Sequence, residues 1–326
     1  MALFNKIHIM KQALKRRFWV SDGSVYKYLD SQCPLCGSER IKPLDGYEDC
    51  CGLARCSSCG LVFATDIPDI QTTQSIYDNY GRNDYLSDIT VKRYNELLDL
   101  FEKYRNTNKI LDIGCGIGYF LEVARARGWQ VYGTEFSKRA VEICANKGII
   151  MHNGPITAET YSPEMFDVIT SFEVIEHISI PNDMMEFVPR FLRRHGAFYL
   201  TTPNFNSIVR IIQKSDWDVI SKKGHPEHLD YYTRKSSAKL LERYGLTKVY
   251  IHTEGISISR LKRSFRKKST DKQVRHEKYI SATSSDEKLR AAMESSRTKR
   301  LMKKIINRML SLFGVGDTLK ILAVKR

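Results

Sequence analysis

The sequence predicts an α/β protein built on a doubly wound, mostly parallel sheet of seven strands. From residue 109 onward, short apolar runs alternate with amphipathic helical segments, as the crossover connections between parallel strands require. Three glycines at alternate positions follow the first apolar run, and a helical segment follows them. Acidic residues stand at the ends of several runs, and ligands of such sheets bind at the carboxyl ends of the strands.

Seven apolar runs account for the predicted sheet. The last run alternates apolar and polar residues, which is typical of an edge strand. A helix over residues 91–105 is expected to lead into the first strand, and Ser137 and Thr233 are expected to cap later helices. The predicted strands cover residues 110–113, 130–134, 148–151, 166–170, 197–201, 246–253 and 318–324.

Two C-x-x-C pairs near the N-terminus predict a zinc site. Each pair precedes a glycine, which suits the tight turn that directs two thiolates at one ion. Four thiolates leave no open coordination position, so the zinc would be structural. The other four cysteines show no disulfide-like spacing, which indicates a reducing compartment. The predicted ligands are Cys33, Cys36, Cys56 and Cys59, in a zinc ribbon over residues 31–64.

The net charge of +15 is concentrated in two appendages. Residues 1–30 carry six Lys/Arg and two Asp, and residues 260–308 carry 17 Lys/Arg and five Asp/Glu. The rest of the chain is near neutral, which argues against a nucleic-acid substrate, because a site that follows a phosphate backbone is itself basic. Basic ends are suited instead to an anionic surface.

Both appendages contain amphipathic helical patterns. Residues 1–20 and 297–313 repeat apolar residues at helical spacing, with basic residues between them. Each is predicted either to pack on the protein or to lie on an anionic membrane surface. Because no apolar run can span a bilayer and no signal-peptide core is visible, we expect a cytoplasmic protein, peripheral on the inner face of a membrane if these helices bind lipid. The predicted division is a basic segment over 1–30, the ribbon over 31–64, a lead-in over 65–108, and a main domain over 109–326 with a basic helical insertion at about 256–316.

The glycine-rich run resembles motif I of class I S-adenosylmethionine-dependent methyltransferases. Asp112 precedes the pattern G-x-G-x-G at 114–118, whereas dinucleotide-binding folds carry G-x-G-x-x-G. The run Ser-Phe-Glu-Val-Ile-Glu-His-Ile at 171–178 resembles motif IV of the same superfamily, whose members often read E-x-x-E-H. Together with the ribbon, these motifs resemble surface-glycan and quinone methyltransferases, and the resemblance implies a Rossmann-like methyltransferase sheet.

The resemblance implies S-adenosylmethionine as the cofactor, bound at the strand ends. Glu135 stands 19 residues after Gly116, and a carboxylate there can accept hydrogen bonds from both ribose hydroxyls. Asn153 ends the third strand and is expected to border the adenine. The implied cofactor-binding residues are Asp112, Gly114, Cys115, Gly116, Gly118, Glu135, Phe136, Asn153, Ser171, Phe172 and Glu173.

Three interpretations of the E-x-x-E-H run stay open. Glu173, Glu176 and His177 share one face of a helical turn. Glu176 and His177 can face the acceptor, with His177 as general base. Alternatively the three residues bind a divalent ion that lowers the pKa of an acceptor hydroxyl, or the turn is purely structural. Downstream, the further candidates are His228 as a catalytic residue, Asn204 and Tyr231 in the acceptor site, and His225 as a second base or ligand.

The predicted function is methyl transfer from S-adenosylmethionine to a hydroxyl of a glycan or lipid-linked glycan precursor. The runs Thr-Pro-Asn at 202–204 and His-Leu-x-Tyr-Tyr-Thr at 228–233 resemble methyltransferases of bacterial surface-glycan clusters. One alternative is a small-RNA or tRNA methyltransferase with a divalent metal at the E-x-x-E-H run. Another is a non-catalytic cofactor-binding scaffold, against which the intact Asp112, glycines and Glu135 argue.

Overall fold

The computed structural model describes residues 18–20, 25–28, 32–47, 50, 52–68, 86–178, 180–221, 227–264 and 296–326. The strands are β1 (Phe18–Val20), β2 (Val25–Tyr28), β3 (Ile41–Pro43), β4 (Leu53–Cys56), β5 (Val62–Ala64), β6 (Asp66–Pro68), β7 (Lys109–Ile113), β8 (Gln130–Glu135), β9 (Ile150–Asn153), β10 (Phe166–Phe172), β11 (Leu192–Pro203), β12 (Asp230–Tyr231), β13 (Leu246–Glu254) and β14 (Thr318–Lys325). The helices are α1 (Asp88–Phe101), α2 (Tyr119–Ala126), α3 (Lys138–Asn146), α4 (Pro181–Met185), α5 (Val188–Phe191), α6 (Ile208–Gln213), α7 (Arg234–Arg243), α8 (Ile258–Ser264) and α9 (Arg297–Phe313). Short 3₁₀ turns cover Glu102–Tyr104, Ile175–His177 and Lys214–Asp216.

The main sheet has seven strands in the order β13-β14-β11-β10-β7-β8-β9. The strands from β11 to β9 are parallel to their neighbours, and β14 is antiparallel to both β11 and β13. Successive residues of one strand enter two different cores, Ile110 on one side and Leu111 on the other. Because side chains alternate along a strand, both faces of the sheet are covered. The predicted doubly wound, mostly parallel sheet is confirmed.

The prediction that the last strand lies at the sheet edge is wrong. Strand β14 lies between β11 and β13, and the edges are β13 and β9. Its apolar residues, such as Leu319 and Ile321, are fully buried. Its polar residue Lys320 pairs across to Glu254 on β13 at 2.6 Å, so the alternation reflects a cross-strand ion pair and not an open edge.

Short polar side chains fix where several helices begin. The Ser137 hydroxyl accepts a hydrogen bond from the backbone N–H of Ala140, as predicted. Thr233 forms a reciprocal capping box with Ser236 at the start of α7, which confirms the second predicted cap. The lead-in helix α1 begins three residues earlier than expected, because Ser87 caps it by accepting from Thr90 N–H.

The cysteine-rich segment shares a sheet and a core with the rest of the protein. Strand β12 pairs with β5, giving a sheet in the order β12-β5-β4-β3. Leu35 and Phe63 are buried in the same cluster as Leu240 and Leu241 of α7. A segment this small buries little apolar surface alone, and packing against the main domain buries the additional apolar surface that its stability requires.

The predicted N-terminal helix over residues 1–20 is wrong over its last three residues. Phe18–Val20 forms β1, which pairs with β2 in an antiparallel ribbon that β6 extends. Residues 1–17 lie outside the described residues. Among the helices described, none is both long and apolar enough to cross a membrane.

Candidate active site

The glycine loop after β7 combines two tightly packed glycines with one that faces open space. Gly114, Gly116 and Gly118 all have positive φ, at 71°, 54° and 79°. A Cβ on Gly114 would lie 2.5 Å from Val174, and one on Gly118 would lie 2.6 Å from Ile149. A Cβ on Gly116 would meet nothing within 4 Å. Gly116 therefore marks the part of the loop that a ligand can approach closely.

Glu135 ends β8 and joins the glycine loop to the start of α3. Its carboxylate accepts hydrogen bonds from the backbone N–H of Gly116 at 3.0 Å and of Phe136 at 2.7 Å. The Asn153 amide at the end of β9 donates to the carbonyl oxygens of Glu135 and Phe136, at 2.9 and 3.0 Å. The Phe136 ring is exposed beside them. The structure thus brings together the residues that the sequence assigned to the ribose and adenine.

Asp112 lies beneath this loop and is almost fully buried. Its carboxylate accepts a hydrogen bond from the Thr170 hydroxyl of β10 at 2.8 Å. Burial raises the pKa of Asp112 to about 7, because the charged form loses its hydration. Thr170 was not among the predicted residues, and only the pairing of β7 with β10 places it beside Asp112.

The thiols of Cys115 and Cys144 contact the glycine loop from the interior of the protein. The sulfur atoms of Cys115 and Cys144 contact the same carbonyl oxygen, that of Gly116, at 3.7 and 3.3 Å. Ser171 is buried at the end of β10, and Phe172 packs on Phe120 of α2 with ring centroids 5.0 Å apart. Of the predicted cofactor residues, Cys115 therefore lies in the loop, and Ser171 and Phe172 lie at the end of the neighbouring strand β10.

The E-x-x-E-H run leaves the strand end in a tight turn. Glu173 has a positive φ of 54°, and Glu176 and His177 follow in a 3₁₀ turn. Glu176 is 1% exposed, and one of its carboxylate oxygens accepts a hydrogen bond from the Thr202 hydroxyl at 3.0 Å. Its other oxygen, Oε1, has no hydrogen-bond partner among the described residues. Burial and the neighbouring Glu173 raise the pKa of Glu176 well above its usual value.

His228 completes a compact group with Glu176 and His177. One ligand-type atom from each of the three side chains lies within 4.8 Å of the others. The two imidazole rings are 4.5 Å apart between centroids. Glu173, which the sequence grouped with Glu176 and His177, is solvent-accessible and not part of this group. The group therefore joins the 3₁₀ turn to a segment 51 positions later in the chain.

Backbone carbonyls set the protonation of both histidines. His177 Nδ1 lies 2.7 Å from the Glu227 carbonyl oxygen, and His228 Nδ1 lies 2.7 Å from that of Val219. Each Nδ1 therefore carries a proton, and Nε2 carries the lone pair. Burial, together with the other histidine, lowers the pKa of His177 to about 3, and burial also lowers the pKa of His228. Both imidazoles are neutral at physiological pH.

Two predicted acceptor residues have structural roles instead. Asn204 is buried, and its side-chain amide donates to the carbonyl oxygens of Gly314 and Gly316 at 3.0 and 2.7 Å. Tyr231 is also buried, and its hydroxyl accepts from Ser221 N–H at 2.9 Å and donates to the His228 carbonyl at 3.1 Å. His225 lies outside the described residues. The hydrogen bonds of Asn204 and Tyr231 therefore brace the backbone segments around the site.

The four predicted thiolates come together at the N-terminal knuckles. Cys33 and Cys59 have their sulfur atoms 3.5 Å apart, and Cys36 and Cys56 have theirs 3.6 Å apart. All four sulfur atoms lie within 4.8 Å of one another. A tetrahedral zinc ion with bonds of about 2.3 Å needs sulfur atoms about 3.8 Å apart, so the arrangement fits that ion.

The order of the main sheet and the glycine loop that follows its interior strand β7 define a Rossmann-like methyltransferase fold. The family model described as "Methyltransferase domain" matches residues 85–251, just over half of the chain. This protein therefore belongs to that methyltransferase family.

Among curated proteins, the chain is similar to enzymes named "Ubiquinone biosynthesis O-methyltransferase". It is 26% identical over 148 residues to the protein of Aeromonas salmonicida, which covers 42% of this chain and 62% of that protein, less than two thirds of its length. It is 27% identical over 158 residues to a Pseudomonas aeruginosa protein, covering 43% of this chain and 68% of the other.

Solved structures of methyltransferases also align with the chain. A methyltransferase from Archaeoglobus fulgidus is 17% identical with a TM-score of 0.45, covering 73% of this chain and 94% of that one. A possible histamine N-methyltransferase from Thermotoga maritima is 16% identical with a TM-score of 0.45, covering 78% and 100%.

Proposed function

We propose that this chain transfers a methyl group from S-adenosylmethionine to a hydroxyl of a glycan or lipid-linked glycan precursor. The observation that carries the proposal concerns the carboxyl ends of the parallel strands. The glycine loop and Glu135 lie there, and so does the group of Glu176, His177 and His228. The glycine loop, Glu135 and the turn that carries Glu176 and His177 follow the ends of β7, β8 and β10, which are parallel neighbours. His228 packs against His177 from a later segment of the chain. Membership of the methyltransferase family supports the donor, and the name of the curated relatives, O-methyltransferase, supports an oxygen acceptor.

The donor side has the groups that the cofactor needs. The open space over Gly116 admits close approach, and Glu135 would accept hydrogen bonds from the ribose hydroxyls. Phe136 and Asn153 would border the adenine. An approaching cation would lower the pKa of the buried Asp112, because the opposite charge offsets the cost of burial. S-adenosylmethionine supplies a methyl group already activated on a sulfonium, so the protein has mainly to orient the reactants and exclude water.

The acceptor side is the group of Glu176, His177 and His228. The two histidines are neutral, and each carries its lone pair on Nε2. A neutral imidazole can take the proton of an acceptor hydroxyl as that oxygen attacks. Glu176 would hold the hydroxyl or the resulting imidazolium through its unpartnered oxygen Oε1.

A divalent cation at the same three residues is the second candidate chemistry. Two neutral imidazoles and a buried carboxylate oxygen without a hydrogen-bond partner form a ligand set that leaves coordination positions open. The cation would lower the pKa of the acceptor hydroxyl, and a base would then be less important. Chelation distinguishes the two: loss of activity with EDTA and recovery with Mg²⁺, Mn²⁺ or Zn²⁺ favours the cation, and unchanged activity favours the histidine base.

We also infer that Cys33, Cys36, Cys56 and Cys59 hold one structural zinc ion. The sulfur spacing and the two knuckle turns, in which Gly37 and Gly60 N–H donate to Cys33 and Cys56 carbonyl oxygens, support it. Four thiolates leave no position for a substrate, so the ion would stabilise the fold and take no part in methyl transfer.

Transfer of a labelled methyl group to separated glycan, lipid-linked glycan, quinone-precursor and RNA fractions tests the proposal. Label in the glycan or lipid-linked fraction supports it. Label only in the quinone-precursor fraction would favour the acceptor chemistry in the name of the curated relatives, and label only in RNA would overturn it. The Glu135→Gln variant should lose at least tenfold in affinity for S-adenosylhomocysteine, since a hydrogen bond to a charged group contributes about 1.5–3 kcal/mol. Glu142→Gln, an exposed glutamate on α3, is the matched control and should bind normally.

A further inference from the structure

Helix α9 presents its apolar side away from the protein. Seven large apolar residues on this helix are between 43% and 75% exposed. At 3.6 residues per turn they occupy one arc of about 140°. Amphipathic helices of globular proteins normally turn such an arc toward the core. The exposed arc, which we call the outer stripe, consists of Leu301, Met302, Ile305, Ile306, Met309, Leu312 and Phe313.

The opposite, mostly polar side of α9 attaches it to the end of β13. Asn307 accepts a hydrogen bond from the backbone N–H of Gly255 at 3.2 Å, and Ser311 accepts one from that of Thr253 at 3.4 Å. The Thr253 hydroxyl donates to the Leu310 carbonyl at 2.9 Å, and Leu310 is the buried apolar residue on this side. The helix is therefore held in an orientation that exposes the outer stripe.

Basic residues border the outer stripe on both sides. By helical periodicity, Arg297, Lys304 and Arg308 lie along one border, and Lys299 and Lys303 lie along the other. The helix contains no acidic residue. An apolar arc between two basic borders is the pattern of a helix that lies in the plane of an anionic bilayer, with its apolar side among the acyl chains and its cations at the phosphates.

The apolar surface is not confined to α9. Ile211 and Ile212 on α6 and Ile258 on α8 are each more than 40% exposed. Both helices adjoin the turn that follows α9: Ile208 N–H donates to the Val315 carbonyl at 2.9 Å, and Ser257 N–H donates to the Asp317 carboxylate at 2.7 Å.

The same turn is tied to the candidate active site. Asn204 binds the carbonyl oxygens of Gly314 and Gly316, and it follows Thr202 by two positions on the chain. Thr202 in turn donates to Glu176. A surface contacted by α9 would therefore lie beside the part of the protein that holds the acceptor group.

We propose that α9 binds an anionic lipid surface through the outer stripe and its basic borders, and that this surface presents a lipid-linked acceptor to the active site. The second clause rests on the proposed function. A second copy of this chain is a poorer occupant, because two helices rich in Lys and Arg without acidic residues would repel each other. Nucleic acid would meet the basic borders but would leave the outer stripe in water.

Vesicle flotation of the full chain, without cofactor or acceptor, tests the surface itself. We expect binding to phosphatidylglycerol/phosphatidylcholine vesicles, weaker binding as NaCl increases, and little binding to pure phosphatidylcholine. Ile305→Glu should reduce partitioning at least tenfold, because it places a charge where an apolar side chain enters the acyl region. Ile150→Glu is the matched control: Ile150 is 47% exposed against 52% for Ile305, and it lies on β9 at the far edge of the sheet.

Equal partitioning of the wild type and Ile305→Glu, or no binding by the wild type, would overturn the proposal. So would binding to RNA that Ile305→Glu weakens, or a dimer in solution that Ile305→Glu dissociates in the absence of vesicle binding. Methyl transfer is measured separately with the acceptor in vesicles and in detergent. Vesicle binding without methyl transfer to any fraction would refute the proposed function and leave the surface standing, whereas equal activity of wild type and Ile305→Glu on vesicle-borne acceptor would refute only the presentation of the acceptor.

Discussion

Replacing Gly116 with alanine should weaken cofactor binding strongly while lowering the stability of the fold only slightly. Gly116 has φ of 54° and open space where a Cβ would lie, so the added methyl group clashes with no protein atom. The cost to the fold is the left-handed conformation of an alanine, about 1 kcal/mol, which lowers the melting temperature by about 2 °C. If the cofactor fills this space, the methyl group displaces it, and overpacking of about 1–3 kcal/mol weakens binding roughly 5- to 150-fold.

Two further glycines provide the comparison. Gly245, between α7 and β13, has φ of 65° and also meets nothing within 4 Å, so Gly245→Ala should cost the same stability and leave binding intact. Gly114→Ala places a methyl group 2.5 Å from Val174 and should destabilise the protein by about 2–4 kcal/mol through strain and overpacking together. Calorimetry with S-adenosylhomocysteine and thermal unfolding measure the two effects. If Gly116→Ala binds as tightly as Gly245→Ala, the cofactor does not lie over Gly116, and our account of the loop fails.

Three other outcomes are expected. His177→Ala should reduce methyl transfer at least about 100-fold and leave the affinity for S-adenosylhomocysteine unchanged. His252→Ala, on the exposed side of β13, should have normal activity. Equal activity of the two variants would show that His177 takes no part in the mechanism. Elemental analysis should find one zinc ion per chain. Cys59→Ser should lose the ion and thermal stability, whereas Cys50→Ser should keep the ion. A zinc-free wild type of full stability would contradict the structural ion. Burial raises the pKa of Asp112 to about 7 in the folded protein, from about 3.9 in an unfolded chain. The contribution of Asp112 to stability is therefore fully present below about pH 4 and is lost as the pH rises through about 7. The free energy of unfolding should therefore fall less between pH 5 and 7.5 in Asp112→Asn than in the wild type, and identical slopes in denaturant titrations would contradict the raised pKa.

Local features were predictable because they depend on neighbours in the chain. A strand was predicted at residues 110–113, and the observed β7 is Lys109–Ile113, since an apolar run before glycines leaves few alternatives. The caps at Ser137 and Thr233 follow from hydroxyls that satisfy free backbone N–H groups at helix starts. The four zinc-ligand candidates came from spacing alone.

Relations across the sheet were not predictable in this way. The alternation over residues 318–321 does not distinguish an edge from an interior strand whose Lys320 pairs with Glu254. The signal for an interior strand is the apolar run at 321–323, which is buried on both faces of the sheet. His228 joins Glu176 and His177 only because Leu229 N–H binds the Glu176 carbonyl at 2.7 Å, a contact between distant segments. Asn204 and Tyr231 belong to motif-like runs, and their hydrogen bonds to distant backbone groups depend on tertiary contacts that such runs do not reveal.

The short strand β12 connects the cysteine cluster to the segment that carries His228, although the two are far apart in the chain. Asp230 and Tyr231 follow His228 by two and three positions and pair with β5, the strand that returns from the second cysteine knuckle. An ion held by the four thiolates would therefore brace, through two strands, the backbone that carries His228, while the glycine loop and Glu135 depend on a different sheet. Metal depletion should impair methyl transfer before it impairs cofactor binding, so preparations with partial zinc occupancy would contain molecules that bind the methyl donor yet cannot use it.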